Sequence, residues 1–363
     1  MAKKPYDFLI FIGRFQPLHL GHEHVIRQAL EQAETVLVFV GSTNLARSIR
    51  NPFTFSERNE MVARAFADEI ASGRIVVQEI HDQPYNDTAW IAHVQRTVRD
   101  TVLAVGNRDN PSVVLAGLND FDVGLIGHGK DGTSYYLKLF PEWGAVNIKS
   151  PYGTFNATDI RVDYFRNAPL IARDCVSASV ADFLEEFRLT ENFRDLVAEA
   201  EFVRDYKKSW EGAPYAPTLV TVDAVCVQSG HVLMVERGGS PGKGLLALPG
   251  GFLDPGERLR DAVVRELKEE TRIRDNKGEI PPALLASYIE DSKTRVFDDP
   301  NRSARGRTVT HAYYFNLPER ADLFGVKGDD DASRAQWYEL GTLEPCDCYE
   351  DHWFIIREMT GIS

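Results

Sequence analysis

Residues 7–22 read DFLIFIGRFQPLHLGH, a nearly continuous apolar run that ends in a glycine-bearing turn. A run of this kind is typical of a buried strand in a parallel sheet. Helical spacing follows at once, with apolar residues on one face at Val25, Ile26, Ala29, Leu30 and Ala33. Free N–H groups and the dipole at the start of such a helix attract phosphate. The stretch therefore predicts a strand, a turn and a helix that together form an anion site.

Further apolar runs lie at 35–40, 74–80 and 112–117. Between them, Thr54 and Glu57 predict a capping box before a helix that extends to about Ser72. Strands that alternate with helices are typical of a doubly wound parallel sheet, whose ligands lie at the carboxyl ends of the strands. We therefore expect a Rossmann-like α/β domain in the first half of the chain.

Two polar motifs fall where such a fold binds anions. His19 and His22 would aim two ring donors at the same anion, and Gly21 between them permits a close approach. A second motif opens a helix near the end of the same domain and offers a hydroxyl and a cation, from Thr158 and Arg161. A lone histidine pair is more often a solvated turn, but the second motif favours a phosphate site.

Four segments resemble the HxGH nucleotidyltransferases, and most closely the archaeal-type nicotinamide mononucleotide (NMN) adenylyltransferases. They are GRFQPLHLGH (13–22), SIRNPFTFSER (48–58), TAW (88–90) and NATDIR (156–161). The resemblance implies a catalytic set of His19, His22 and Arg161, and a substrate-binding set of Gly13, Arg14, Phe15, Gln16, Arg50, Trp90, Asn156 and Thr158. The family usually has serine where Asn156 stands. Position alone would equally make Trp90 a core aromatic, whereas the resemblance places it near the nicotinamide.

The reaction implied by this resemblance is attack by the 5′-phosphate of NMN on the α-phosphorus of ATP, which gives NAD and pyrophosphate. Since nucleophile and leaving group are both good, the protein needs positioning and charge neutralisation rather than a covalent nucleophile. The HxGH element alone leaves open the transfer of a nucleotide to another phosphate, such as phosphopantetheine. The segment from Arg50 to Arg58 and Trp90 favour NMN.

The character of the sequence changes near Thr190. A charged helical stretch ends in a Gly- and Pro-containing break, and strand patterns follow at 219–227 and 231–236. A helix at 258–272 and a strand at 308–316 make this half α+β. The expected boundaries are a nucleotidyltransferase domain at 1–189, a helical connector at 190–217 and a second domain at 218–363.

The helix predicted at 258–272 carries three carboxylates at positions i, i+3 and i+4, namely Glu266, Glu269 and Glu270. Residues at this spacing share one face of a helix. Their repulsion becomes coordination when a hard divalent cation binds. A solvated acidic face is the alternative, but the spacing from Gly251, Glu257 and Arg265 disfavours it.

This pattern resembles the Nudix box. The resemblance implies that Glu266, Glu269 and Glu270 hold Mg²⁺ (or Mn²⁺), that the Gly251 carbonyl contributes, and that Arg265 with Glu257 braces the loop and helix. One position departs from the box, because its final glycine is Arg272; we expect the chemistry to survive and the turn to change. The additional base that many Nudix enzymes use is not evident, with Glu290 as one candidate.

The segment FDDPNRSARGR (297–307) resembles a loop of ADP-ribose pyrophosphatases and of Nudix-derived regulators of NAD metabolism. We therefore expect ADP-ribose hydrolysis to AMP and ribose 5-phosphate, with Arg305 in substrate binding. Three alternatives stay open: the arginines are solvated loop charges, the Nudix domain senses nucleotides, or it acts on another nucleoside diphosphate derivative.

A net charge of −13 argues against nucleic acid or an anionic membrane as the main partner. The expected partners are ATP, NMN, NAD and ADP-ribose, and a homo-oligomer is left open. Four cysteines without a CxxC pair indicate a reducing compartment, although Cys346 and Cys348 leave a metal site as a minor alternative. The first apolar run is too short for a signal peptide, so we expect a cytoplasmic protein.

Overall fold

The computed structural model describes residues 3–107, 117–128, 136–149, 151–152, 156–166, 174–328 and 332–362. The chain divides into two compact units, Met1–Thr43 with Ile49–Val197 and Asn44–Ser48 with Ala198–Ser363. The strand predicted at 112–117 lies outside the described residues, apart from Gly117. None of the described helices is both long and apolar enough to cross a lipid bilayer.

A parallel sheet forms the centre of the first unit, with its described strands in the order β3-β2-β1-β4-β5. The strands are β1 (Tyr6–Gly13), β2 (Ala33–Val40), β3 (Ile75–Glu79), β4 (Val123–His128) and β5 (Gly144–Ile148). The strand order reverses between β1 and β4, so the switch point of the sheet lies beside the carboxyl end of β1. The expected doubly wound α/β fold is confirmed, and the motif after Gly13 leaves the sheet at this point.

The helices of the first unit are α1 (Leu20–Gln32), α2 (Phe55–Ala65), α3 (Ala67–Ala71), α4 (Asp87–Gly106), α5 (Ala157–Phe165), α6 (Ala178–Arg188) and the start of α7 (Glu191–Lys208). Three valines of α4, four residues apart, are fully buried and therefore share one face. They are Val94, Val98 and Val102, and they form a core cluster with Phe8 and Leu37 of the sheet. α4 is thus fixed against the strands that carry the first motif.

The predicted capping box is confirmed, because Thr54 and Glu57 bond to each other's backbone N–H groups at the start of α2. The expectation of one helix to about Ser72 is wrong. Phe66 leaves helical geometry (φ −137°, ψ 46°) and separates α2 from α3. Its ring is almost fully buried beneath the Arg27 guanidinium, 4.8 Å from the ring centroid, so tertiary burial overrides the local helical pattern.

A mixed sheet forms the second unit, in the order β12-β13-β6-β7-β14, with β9 paired to β6 and β8 to β7. β13 runs parallel to β6, and the other described pairs in this sheet are antiparallel. Its strands are β6 (Leu219–Gln228), β7 (His231–Arg237), β8 (Leu246–Ala247), β9 (Gly250–Phe252), β12 (Arg295–Phe297), β13 (Thr308–Asn316) and β14 (Ala332–Glu339). A separate hairpin pairs β10 (Arg274–Asp275) with β11 (Gly278–Glu279). The expected α+β class is confirmed.

The helices of this unit beyond α7 are α8 (Leu259–Thr271), α9 (Pro282–Ser287) and α10 (His352–Thr360). α8 contributes Ala262, Val263 and Leu267 to a core cluster that includes Val222 and Leu233 of the sheet. The acidic residues of the second motif adjoin this buried face: the side chain of Glu266 is 14% exposed and that of Glu269 is 47% exposed. Burial of the apolar face thus determines where the carboxylates point.

Arg272 ends α8 in the left-handed conformation (φ 41°, ψ 43°). The changed turn that the sequence leads us to expect at this departure from the Nudix box stays a prediction. The backbone at Arg272 has a geometry that glycine adopts without strain, and the arginine adopts it with its Cβ crowded against the carbonyl oxygen.

We expect Arg272→Gly to stabilise the second unit by about 1 kcal/mol, since a non-glycine residue costs about 1–2 kcal/mol in this conformation and glycine returns part of that in chain entropy. Urea unfolding measures the change. Lys268→Gly, inside the same helix, is the matched control and should lower stability by about 1 kcal/mol. Equal losses in both variants would show that Arg272 is not strained.

Candidate active sites

The two histidines of the first motif meet at the start of α1. His19 is the N-cap residue, and its Nδ1 accepts a hydrogen bond from the Gly21 N–H at 3.1 Å. The imidazole rings of His19 and His22 stack with centroids 3.6 Å apart. Because Nδ1 of neutral His19 is an acceptor, the proton lies on Nε2, which makes that atom a donor. The predicted pair is therefore brought together at a helix N-terminus.

Two glycines make this packing feasible. A Cβ on Gly21 would lie 2.9 Å from Cε1 of His19, and a Cβ on Gly13 would lie 2.9 Å from Cζ of Phe15. The Phe15 ring in turn contacts His22 edge-on, with centroids 4.9 Å apart. Gly21 thus accommodates the imidazole of its own motif, and buried Phe15 supports the histidine pair.

Gln16 is buried, and its side-chain amide acts inside the protein. Its Nε2 donates to the Phe53 carbonyl at 2.9 Å and to Oδ1 of Asn51, while its Oε1 accepts from the Phe53 N–H at 2.9 Å. The Gln16 carbonyl accepts from Nη1 of Arg161 at 2.8 Å. Gln16 therefore joins the first turn to both the segment before α2 and the helix α5. Its predicted contact with substrate stays a prediction.

Three predicted arginines lie near one another. Arg161 is buried and also donates to Oγ1 of Thr158 at 3.2 Å. Burial lowers the pKa of Arg161 to about 10, and the nearby charges of Arg14 and Arg50 act in the same direction. Cations that repel one another gain stability when an anion binds between them. The structure thus places three cationic groups where the first strand ends.

Asn156 and Trp90 are placed differently. Asn156 caps α5, because its Oδ1 accepts from the Asp159 N–H at 2.8 Å and its Nδ2 donates to the Asp159 carboxylate at 2.6 Å. Trp90 is half-buried in α4, where its ring lies 6.2 Å from that of Phe140. The substrate contacts assigned to both residues stay predictions.

Arg58 is the residue of this site whose role the sequence does not reveal. It is fully buried, and its guanidinium donates to the carbonyls of Arg14 (2.9 Å), Gly41 (2.6 Å) and Ser42 (3.4 Å). Its Nε donates to the Thr54 carbonyl at 3.2 Å. Burial lowers its pKa to about 10, against the opposing effect of Asp82. Its partners are far apart in sequence, so only its place in the matched segment singles it out.

We expect Arg58→Met to destabilise the first unit by about 3 kcal/mol, because it removes a buried charge and leaves backbone carbonyls without donors. Urea unfolding monitored for this unit measures the loss. Arg64→Met is the control on the same helix: Arg64 pairs with Glu60 and Glu186 nearer the surface, and its loss should cost at most about 1 kcal/mol. Similar costs for the two variants would contradict the role of Arg58.

In the second unit, Arg265 connects the predicted acidic residues. It bonds Glu257 through two parallel contacts of 3.0 Å, and its Nη1 donates to Glu266 and Glu269, each at 2.9 Å. Arg265 also donates to the Phe252 carbonyl at 3.4 Å. The predicted brace between loop and helix is therefore present in the geometry. A groove of about 910 Å³ along this face of α8 is lined by Glu257, Arg265 and Glu269 among others.

Glu266 and Glu270 face the glycine loop. Burial raises the pKa of Glu270 to about 8, although the Gly250 N–H donates to it at 3.0 Å. Burial also raises the pKa of Glu266, whose carboxylate fills the space that a Cβ on Gly251 would take.

Within the described residues, no three His, Cys, Asp or Glu side chains are arranged to hold a metal. Arg265 bonds two of the three predicted ligands, Glu266 and Glu269. The donor chemistry nevertheless fits a hard divalent cation, which would relieve the charge of buried carboxylates. Among the described residues, neither Cys346, which is exposed, nor Cys348, which is buried, belongs to a group of side chains that could hold a metal.

The three arginines of the predicted substrate loop have different surroundings. Arg302 is buried and bonds Asp351 at 2.9 Å through two nitrogens, with Asp223 3.8 Å away. Arg307 bonds to Asp298. Arg305 instead lies over the ring of Phe252, with Cζ 4.9 Å from its centroid. The loop thus holds two structural arginines and one that faces the glycine loop.

Glu290, the candidate base, pairs with Lys293 at 3.0 Å and accepts from Asn316 at 2.6 Å. The hydrogen bond from Lys293 lowers the pKa of Glu290, which makes it a weaker proton acceptor. Its catalytic role stays a prediction, and this geometry does not favour it.

Family models match both halves of the chain: a Cytidylyltransferase-like model over residues 10–119 and a NUDIX domain model over residues 217–357. The fold and the two sites thus define a two-domain protein in which a nucleotidyltransferase precedes a Nudix domain. A crystal structure of a bifunctional NMN adenylyltransferase/ADP ribose pyrophosphatase from Francisella tularensis, complexed with AMP and a manganese ion, is similar over 98% of this chain and 99% of that chain. Its TM-score is 0.85 and its sequence identity 33%. The chain belongs to this bifunctional family.

Relatives of the separate halves agree. A nicotinamide/nicotinic acid mononucleotide adenylyltransferase of Acinetobacter baylyi is 36% identical over 191 residues, which is 53% of this chain and 92% of that protein. An ADP-ribose pyrophosphatase of Methanocaldococcus jannaschii is 34% identical over 131 residues, which is 36% of this chain and 66% of that protein.

Proposed function

We propose that the N-terminal domain transfers AMP from ATP to NMN, giving NAD and pyrophosphate, and that the C-terminal domain hydrolyses ADP-ribose to AMP and ribose 5-phosphate. The observation that carries the first activity is the stacked pair of His19 and His22 at a helix N-terminus, near the cationic Arg161. We place the domains at 1–189 and 218–363, with a connector at 190–217.

In the transfer reaction the protein positions two reactants and offsets charge. His19 Nε2, at the positive end of the α1 dipole, donates towards the phosphates of ATP, and Arg14, Arg50 and Arg161 offset the charge that builds on the leaving pyrophosphate. Gln16 and Phe15 keep these donors in place. Such positioning accounts for most of the acceleration that phosphoryl-type transfers need.

In the hydrolytic reaction, Glu266, Glu269 and Glu270 would hold the divalent cation, Mg²⁺ by preference with Mn²⁺ as a substitute. A cation held by these carboxylates would supply Lewis-acid chemistry to the diphosphate and to the attacking water. Arg265 aligns Glu266 and Glu269 and fastens the loop through Glu257. The acidic charge of the chain supports small nucleotides as partners, rather than nucleic acid.

Product analysis of the purified full chain tests both activities. One mixture contains ATP, NMN and Mg²⁺, and a second contains ADP-ribose and Mg²⁺; chromatography resolves the products. We expect NAD in the first, and AMP with ribose 5-phosphate in the second. Absence of NAD would refute the first activity, and persistence of ADP-ribose the second. Nicotinate mononucleotide and phosphopantetheine, tested in place of NMN, identify the acceptor.

A further inference from the structure

Arg305 carries a buried donor that the structure leaves unsatisfied. Its Nε is buried and, among the described residues, has no hydrogen-bond acceptor. An arginine stays protonated in proteins, so a buried N–H of this kind gains free energy when an acceptor arrives. Contact with the Phe252 ring, one residue after Gly251, keeps the guanidinium beside the glycine loop. Phe252 itself is still 36% exposed.

A second arginine has a similar arrangement. Arg237, at the end of β7, lies over the ring of Tyr349 with Cζ 4.1 Å from the centroid. Its Nε donates to the Pro241 carbonyl at 2.8 Å, which fixes the plane of the guanidinium. Tyr349 is buried, and Gly242 lies so close that a Cβ there would be 2.3 Å from the ring. The aromatic support is therefore rigid.

Arg237 and Arg305 both influence the electrostatics of the Tyr349 side chain. Burial raises the pKa of Tyr349, and the charges of Arg305 and Arg237 oppose that rise. The Arg237 backbone N–H also donates to the Leu245 carbonyl at 2.9 Å, at the start of the segment that leads through β8 to the glycine loop. The two cations therefore lie beside segments that adjoin the glycine loop, whose Gly250 bonds Glu270, and the carboxylates there would repel an anion.

A diphosphate that approaches three carboxylates needs positive charge in addition to that of a bound cation. We propose that Arg237 and Arg305 bind the phosphate oxygens of a nucleoside diphosphate-linked substrate, and that Tyr349 and Phe252 are positioning residues for their guanidinium groups. The inference rests on the proposed function of the Nudix domain and deepens it. Guanidinium groups bind phosphate oxygens through two parallel hydrogen bonds, so orientation decides their strength.

Steady-state hydrolysis of ADP-ribose by the full chain tests the proposal. We expect Arg237→Gln and Arg305→Gln each to raise KM at least tenfold. Phe252→Leu should raise KM about threefold to tenfold with little change in kcat. Phe252→Tyr keeps an aromatic ring beneath the guanidinium, so its KM should equal that of the wild type. Arg307→Gln is the matched control, because Arg307 lies in the same loop but pairs with Asp298; its KM should equal that of the wild type. NAD formation, unchanged in every variant, verifies folding of the other unit.

Calorimetric titration with the non-hydrolysable α,β-methylene analogue of ADP-ribose separates the two proposals. If the wild type binds the analogue but does not cleave ADP-ribose, the proposed function fails while the arginine site is still tested by affinity. If Arg237→Gln and Arg305→Gln bind as tightly as Arg307→Gln, the arginine site is refuted. If the KM of Phe252→Leu equals that of the wild type, or if the KM of Phe252→Tyr rises as much as that of Phe252→Leu, the positioning role of Phe252 is refuted.

Discussion

His22→Ala should slow NAD formation by about 100- to 1,000-fold, the usual effect of removing one preorganised donor from a charge-stabilising site. His22 is the better choice for this test, because His19 also caps α1 and its loss would fray the helix. The stacked geometry predicts that His19 loses orientation as well. Initial rates with saturating ATP and NMN measure the effect.

His24→Ala is the matched control for this variant. His24 lies in the same helix and contacts Tyr152, with ring centroids 6.2 Å apart, rather than the histidine pair. We expect its rate to stay within about twofold of the wild type, in line with a substitution outside the catalytic group. ADP-ribose hydrolysis should be unaffected in both variants. A His22→Ala variant with full NAD formation would remove the histidine pair from the mechanism.

Glu269→Gln should reduce ADP-ribose hydrolysis by about 1,000-fold, since it removes one proposed charged ligand of the cation and the charge of one carboxylate that Arg265 bonds. The side chain of Glu269 is 47% exposed, so the substitution should not disturb the core. NAD formation by the same protein should be unchanged. The rate of AMP formation from ADP-ribose at saturating Mg²⁺ measures the effect.

Glu279→Gln provides the comparison, because Glu279 lines the same groove but lies on β11 rather than on α8. Its hydrolysis rate should match the wild type. One result would favour a sensing domain instead: no hydrolysis in wild type or variant, together with altered nucleotide binding or altered NAD formation in Glu269→Gln.

Continuous apolar runs made β1 and β2 predictable, but β4 and β5 carry no such run. Gly124 lies within β4 and Gly144 begins β5, and a Cβ at either position would lie within 3 Å of the Tyr6 ring or its hydroxyl. Only glycine leaves room at these two positions for the Tyr6 ring of β1, which packs against both. A pattern based on local hydrophobicity does not detect a requirement of that kind.

The contacts between site residues also fall into two groups, those that short sequence spacing predicts and those that it does not. Glu266 and Glu269 share one face of α8 because helix geometry aligns residues three apart, and His19 caps the helix whose first turn holds His22; in both cases the short spacing predicts the arrangement. The bonds between Arg302 and Asp351 join residues 49 positions apart, and neither residue belongs to a periodic pattern. Contacts that depend on the path of the chain therefore had to await the structure.

Arg58 has a consequence for the thermodynamics of nucleotide capture. Through Arg14, Gly41 and Thr54 it joins the ends of two strands and the start of a helix before any ligand arrives. The conformational entropy of this region is lost during folding rather than on association, so more of the interaction energy with the triphosphate remains as affinity.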